Sequence, residues 1–398
     1  MDDLEAEAVR RVINSGWVTQ GPEVEAFERE FATFVGAPYA CAVSNCTVAL
    51  HLALLAAGVG PGDVVATVSH SFIATANSIR YAGAVPLFID VQPESGNIDP
   101  EQLRAALARD IKAILVVHQI GMPCDLATIG EIAAGANIPV IEDAACAIGS
   151  EIKVDARWQR IGRPHGLVAC FSFHPRKLLT TGEGGMITTA DPDIHSRLRL
   201  LRQHAMSVSD RVRHGSATVT RESYTELGFN YRMSDIQAAI GRQQLLRLPE
   251  IVAERRRRAD HYSRLLADMA GITVPREPHW ARSNWQSYQI VLEPGVDQAA
   301  VMQDLLDAGI STRRGIMNAH REPAYLDQPW LCLGNRPDCG CANSTCRALA
   351  NSESIQERGV ILPLFHGMTD EEQEFIAMEL RASLDRRGTI QAANVKEH

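Results

Sequence analysis

The sequence has no long hydrophobic run. Its longest apolar stretches, such as residues 48–58 and 113–117, fall short of the roughly 20 apolar residues a helix needs to cross a bilayer. The N-terminus, MDDLEAEAVRRV, is charged and helical in pattern, without the apolar centre of a signal peptide. Positive charge is not in excess: 39 basic against 48 acidic residues leave −9, with a pI near 5.8. That balance excludes a nucleic-acid binder and a protein that docks on anionic membrane. There is no low-complexity segment and no internal repeat. Nine cysteines are present, but none form the paired C-x₂-C knuckles of common zinc sites. Without an export signal, an odd number of cysteines reads as mostly reduced thiols in a cytoplasmic protein.

What is present is an ordinary globular composition, 45% hydrophobic and 22% charged, which excludes disorder. At 398 residues the chain exceeds the usual size of one core, so two domains are expected. From about residue 25 to 245, short β-rich runs at 64–68, 86–89, 113–117, 140–142, 167–173 and 186–189 alternate with helical ones at 47–57, 74–82, 101–109, 126–134 and 193–204. Near-continuous apolar strands between helices predict an α/β fold with a mostly parallel sheet covered on both faces. Polar residues follow several strands, which places a site at the carboxyl ends of the sheet. A long helical pattern runs over 234–269, with Pro249 as the expected break and the arginine run 255–258 as a solvated face. Beyond residue 272 a smaller α+β region follows, with a strand at 288–292 and helices at 297–308 and 371–384. The predicted division is therefore 1–245 and 246–398, with a frayed polar tail from 385.

Four separated features carry chemistry. Ser44-Asn45-Cys46-Thr47 precedes an apolar helix, so free N–H groups and the helix dipole favour an anion there; simple capping is the competing reading. Glu142-Asp143 closes an apolar strand and presents an acid at its end, where it could equally cap a helix. Residues 171–186, FSFHPRKLLTTGEGGM, run from strand to Lys177 to a glycine-rich turn to strand. Gly182, Gly184 and Gly185 permit close backbone approach. A lysine in such packed apolar surroundings is expected to have a lowered pKa and to act as an amine nucleophile. Finally, residues 227–235, LGFNYRMSD, open the long helix. Capping explains Ser234 and Asp235 but not Asn230 or Arg232.

Together these segments resemble the DegT–DnrJ–StrS family of pyridoxal-phosphate-dependent sugar aminotransferases. The resemblance extends from Ser15-Gly16-Trp17 to Leu362-Pro363-Leu364. It implies the aspartate-aminotransferase-like fold, known as fold type I: a large pyridoxal-phosphate-binding domain with the N-terminal segment, a small C-terminal α+β domain, and a homodimer with its active sites at the interface. It implies further that Lys177 bonds the cofactor aldehyde and that Asp143 pairs with the pyridine nitrogen, the charge that makes the ring an electron sink. Phe72 would stack on the ring, although a plain core Phe is the alternative. Cys46 and Thr47 would hold the phosphate, Ser172 would add a hydroxyl, and Asn230 would reach the phosphate of the neighbouring subunit. Cys146 stands where the family usually has His or Gln near the phenolic oxygen, and a thiol is a poor donor there. Cys46 stands where glycine is common, and a short segment that usually precedes the Gly16-Trp17 region is missing.

The implied reaction moves an amino group, from L-glutamate by expectation, through the pyridoxamine form to a keto sugar, usually nucleotide-linked, for polysaccharide or secondary-metabolite synthesis. The alternatives are a non-catalytic cofactor-binding regulator of the same fold and a sugar dehydratase. The latter replaces the lysine with His. Cys332, Cys339, Cys341 and Cys346 cluster in sequence and read as free thiols, with a disulfide or a metal as the alternatives; no metal is expected. Arg313, Arg314 and His320 lie nearby and face substrate by expectation, with Arg313 and Arg314 equally readable as solvated helix-end charges.

Overall fold

The computed structural model describes residues 1–208, 218–219, 221–334, 341 and 345–394, with backbone alone for 387–394. The apolar runs assemble into one large sheet. Its strands are β1 (Tyr39–Val43), β2 (Val64–Val68), β3 (Val85–Ile89), β4 (Ala113–Val117), β5 (Val140–Asp143), β8 (Val168–Ser172), β9 (Gly185–Thr189) and the short β14 (Leu331–Cys332). Their spatial order is β1-β9-β8-β5-β4-β2-β3-β14. Strands β8 through β14 in that order run parallel, and β9 alone is antiparallel to both its neighbours. Strand β4 is buried at every position, as a central strand covered on two faces must be. Helices α3 (Cys46–Ala56), α4 (Ala74–Tyr81), α5 (Pro100–Ala106) and α6 (Leu126–Ala136) provide the crossovers, and α7 (Pro192–Leu201) follows β9. Ahead of the sheet come α1 (Asp3–Ser15) and α2 (Pro22–Val35).

The sequence expectation missed four strands here, β1, the two-residue β14 and both strands of a hairpin. Strand β1 follows a loop too short to signal a boundary. The hairpin of β6 (Glu151–Val154) and β7 (Arg157–Arg160) is polar on most positions, so it carries no apolar alternation. Asp155 and Ala156 both take positive φ at its turn, the conformation that a two-residue hairpin demands.

The C-terminal region forms an antiparallel sheet, β10-β12-β15-β13, from Ile272–Thr273, Tyr288–Leu292, Gly359–Leu362 and Arg313–Arg314. Strand β11 (Ala281–Arg282) instead joins β6. Helices α9 (Gln298–Asp307), α10 (Ala350–Arg358) and α11 (Asp370–Asn394) complete it. The tail is thus helical as far as residue 394, not frayed from 385.

The helix connecting the two regions, α8, runs unbroken from Asp235 to Leu265 with Pro249 inside it. A mid-helix proline costs about 3 kcal/mol. Packing at both ends of the helix outweighs that penalty. Leu245, Leu248 and Val252 join the large core, whereas Ala259 and Tyr262 join a second core with Tyr288, Leu305 and Leu380.

The arginine run is not a solvated face. Arg255 donates to the carbonyls of Trp285 and Gln286 at 2.9 and 3.1 Å. Arg256 donates to Ser283 O at 2.9 Å and Gly149 O at 3.2 Å. Arg258 is buried and pairs with Glu254. Only Arg257 behaves as expected, exposed between Glu254 and Asp370.

Candidate active site

The site lies at the carboxyl ends of β5 and β8. Asp143, the last residue of β5, is buried. Its Oδ2 accepts from Thr75 Oγ1 at 2.8 Å and its Oδ1 from Ala145 N at 3.1 Å. It thus orders a turn; it caps no helix. Burial pushes its carboxyl above the usual aspartate value, against the pull of these two donors and of Lys177. Glu142 points the other way. It accepts from Gly166 N at 3.1 Å and meets His118 Nε2 at 3.1 Å. His118 Nδ1 accepts from Cys124 N at 3.0 Å, so Nε2 carries the proton that Glu142 receives.

Lys177 sits in the loop after β8 and donates from Nζ to Cys146 Sγ at 3.0 Å. Burial opposes its charge. The interaction and hydrogen bond with Cys146, then the Asp143 carboxylate, outweigh that, and the amine titrates above the ordinary lysine value. The expected lowering is therefore overturned: the surroundings are packed, but electronegative groups line them. The chain holds four lysines, 112, 153, 177 and 396. Lys112 and Lys153 are exposed and Lys396 lies outside the described residues.

Helix α3 begins beside this pair. Asn45 caps it, accepting from Val48 N at 3.1 Å. Cys46 N and Thr47 N have no protein acceptor among the described residues, so both N–H groups are available at the positive end of the dipole. Burial, with the Asp143 charge next, pushes the Cys46 thiol well up, so Cys46 offers its backbone and not a thiolate. A Cβ on Gly185 would sit 2.7 Å from Asn45 O and 2.9 Å from Cys46 N. Glycine there lets β9 lie flat against this turn. The donors, the acid and the amine fit a phosphorylated pyridine aldehyde: N–H groups for its phosphate, Asp143 for its ring nitrogen, Lys177 for its carbonyl. Ser172 ends β8, half-buried, its Oγ accepting only a long contact from His174 N, 3.4 Å.

Phe72 is 70% exposed, which excludes the plain core reading. Its segment is fixed from below, because Ser71 Oγ lies 2.8 Å from Thr75 Oγ1. Asn230 is exposed, and its backbone bridges to Gln203. The expectation for the substrate-facing group fails at His320. It is buried and held between Ser69 Oγ, 2.6 Å, and Glu353 Oε1, 2.9 Å. Arg313 and Arg314 are exposed, Arg314 with Glu322 at 3.4 Å.

The sequence reading missed residues that hold the site. Thr75 lies one helical turn past Phe72, a spacing that was legible. Asn284 donates to Cys146 O and Ile148 O, both at 2.8 Å, and Gln286 donates to Arg176 O at 3.1 Å. Both belong to the buried polar run Ser283-Asn284-Trp285-Gln286-Ser287. Of the cysteine cluster, Cys332, Cys341 and Cys346 come together. Cys341 is disulfide-bonded and not the expected free thiol. Cys339 lies outside the described residues.

Residues 1–381 match the DegT/DnrJ/EryC1/StrS aminotransferase family. The chain belongs to it. Among curated relatives it is similar to the spore coat polysaccharide biosynthesis protein SpsC of Bacillus subtilis, 34% identical over 95% of this chain and 93% of that one. Among solved structures it is similar to the aminotransferase TlmJ of Streptoalloteichus hindustanus, with 32% identity and a TM-score of 0.84 over 97% of both chains. An aminotransferase from Psychrobacter cryohalolentis matches at 29% identity and a TM-score of 0.86 over 98% of both. The DegT/DnrJ/EryC1/StrS membership makes the chain a fold type I, pyridoxal-phosphate-dependent sugar aminotransferase. No helix among the described residues is long and apolar enough to cross a membrane.

Proposed function

We propose that the chain transfers an amino group from L-glutamate to the keto group of a nucleotide-linked sugar, for surface polysaccharide or a secondary metabolite. In this reading residues 1–245 and 246–398 are its cofactor and small domains, and it works as a cytoplasmic homodimer. The observation that carries the reading is that Lys177, in the loop after β8, and Asp143, at the end of the neighbouring β5, lie beside the first N–H groups of α3, those of Cys46 and Thr47. The polysaccharide role of SpsC supports a sugar acceptor.

Pyridoxal phosphate, when bound, supplies a protonated ring that draws electrons from the carbon bearing the amino group. Asp143 keeps the ring nitrogen protonated, and the charge it meets there relieves the cost of its own burial. Thr75 and Ala145 hold its two oxygens so that the carboxylate cannot turn away. Cys46 N, Thr47 N and Ser172 Oγ bind the phosphate, and Phe72 covers the ring face. Lys177 would hold the cofactor through its aldehyde, and its Nζ, when free, would hold and move the proton at the substrate carbon. Cys146 Sγ holds the free amine between those events. Exposed Asn230, with exposed Leu227 beside it, reaches the phosphate site of a neighbouring protomer.

The test is a half-reaction. Protein loaded with pyridoxal phosphate is treated with L-glutamate until its absorbance changes to that of the pyridoxamine form, then offered a panel of nucleotide keto sugars. Return of the original colour with one of them, and a dimer in sedimentation, is the expected result. Lys177→Ala should abolish turnover. Turnover retained in that variant, or no response to glutamate, overturns the proposal.

A further inference from the structure

Away from the active site, three sulfur atoms meet at the edge of the large sheet. Cys332 closes β14, whose partner is β3. Cys346 precedes the short 3₁₀ turn Arg347–Leu349, and Cys341 lies between them in sequence. The Cys341 Sγ is 3.6 Å from that of Cys332 and 3.3 Å from that of Cys346. All three lie within 4.8 Å of one another. Thiolates bound tetrahedrally to zinc at 2.3 Å stand about 3.8 Å apart. The spacing along the chain gives no sign of this, because one ligand comes from a strand end and the others from the loop returning to it.

The segment between these cysteines is poor in apolar residues. Between Cys332 and Cys346 the sequence is LGNRPDCGCANST, with Leu333 as its one large apolar side chain. Yet both its ends are buried, Cys332 at 3% and Cys346 at 1% exposure, within a small cluster that includes Phe88, Tyr325 and Trp330.

We propose that Cys332, Cys341 and Cys346 bind one zinc ion through three thiolates when the Cys341 disulfide is reduced, and that the ion fastens this segment to the sheet edge. Reduction of the disulfide takes two electrons: a dithiol supplies them with two protons and closes to its own disulfide, whereas a phosphine supplies the electrons and water the two protons, its oxygen ending on the phosphine oxide. Zinc then displaces one proton from each of the three thiols, leaving the centre with a charge of −1, and water completes the fourth position. The centre is coupled to the cofactor loop. Cys346 N donates to Glu353 Oε1 at 2.6 Å, Glu353 meets His320 Nε2 at 2.9 Å, and His320 Nδ1 meets Ser69 Oγ at 2.6 Å. Ser69 opens the turn that carries Phe72.

The full chain, reduced with a phosphine and equilibrated with zinc chloride, is passed into buffer holding a weak chelator, and its zinc is counted by mass spectrometry of the element. One zinc per chain is expected. Cys332→Ser and Cys346→Ser should each weaken retention about 10-fold or more, whereas Cys124→Ser, at a buried thiol elsewhere, should keep it. Cobalt(II) in place of zinc should give the intense visible bands of tetrahedral thiolate coordination. In the unaltered chain, zinc should shield Cys332, Cys341 and Cys346 from iodoacetamide, mapped by peptide mass, so the result does not depend on any variant folding. No zinc on the reduced chain, equal alkylation with and without zinc, or full zinc retained by both serine variants (as active-site thiols Cys46 and Cys146 would give) overturns the proposal.

Discussion

At Lys177 the balance of two effects sets the charge of the amine. Burial removes water from the ammonium and disfavours it, while Cys146 and Asp143 favour it and prevail. An amine must be neutral to attack an aldehyde. A raised pKa therefore makes uptake of pyridoxal phosphate by the apoprotein slow at neutral pH and faster as pH rises. Cys146→Ala removes the nearest acceptor, so the rising limb should move to lower pH and uptake at pH 7 should quicken. Absorbance of the bound cofactor against pH measures this, and an unmoved limb would show that Cys146 does not set the charge. Residue types with one dominant use, a lysine before a glycine-rich turn or an acid closing an apolar strand, were readable in the sequence. The sign of the lysine shift was not, because it depends on Cys146, 31 positions away. Nor was the burial of His320, whose two partners, Ser69 and Glu353, lie on other elements.

At the scale of elements, the active site depends on how closely β9 can lie against the first turn of α3. A methyl at Gly185 would press on Asn45 O and Cys46 N, and backbone atoms cannot swing aside as a side chain would. Gly185→Ala should cost about 1–3 kcal/mol of stability and weaken pyridoxal phosphate binding, read by urea denaturation and by cofactor titration. Unchanged cofactor affinity would mean that the α3 turn does not hold the phosphate. The strands of the large sheet were legible because burial on both faces demands unbroken apolar runs; β2, β4 and the small-sheet strand β12 fall on the expected residues. The β6–β7 hairpin was not legible, since its polar residues follow no period. Pro249 misled for a related reason: its local penalty is real, but both ends of α8 are packed into cores.

For the whole molecule, the arginines of α8 join the two regions through backbone carbonyls. Arg255 has no acidic partner among its hydrogen bonds, and burial draws its pKa down to about 10. It is kept for its geometry, since it serves the carbonyls of Trp285 and Gln286 at once. Arg255→Ala would strip these carbonyls of their donor at a cost of about 1–3 kcal/mol, seen as a lower denaturation midpoint. Because Gln286 also holds Arg176 beside Lys177, the same variant should slow turnover more than an exposed change such as Arg257→Ala. Equal effects of the two would place Arg255 outside the support of the site. The sequence showed arginines on a helix but not which surface they met, because that surface is built from residues some thirty positions further on.

Helix α8 belongs to both cores, Leu248 and Val252 to one and Ala259 and Tyr262 to the other. Neither core can melt alone without fraying a rod the other needs, so the two are bound into one cooperative unit of unfolding. A protease or a heat ramp therefore meets a single barrier.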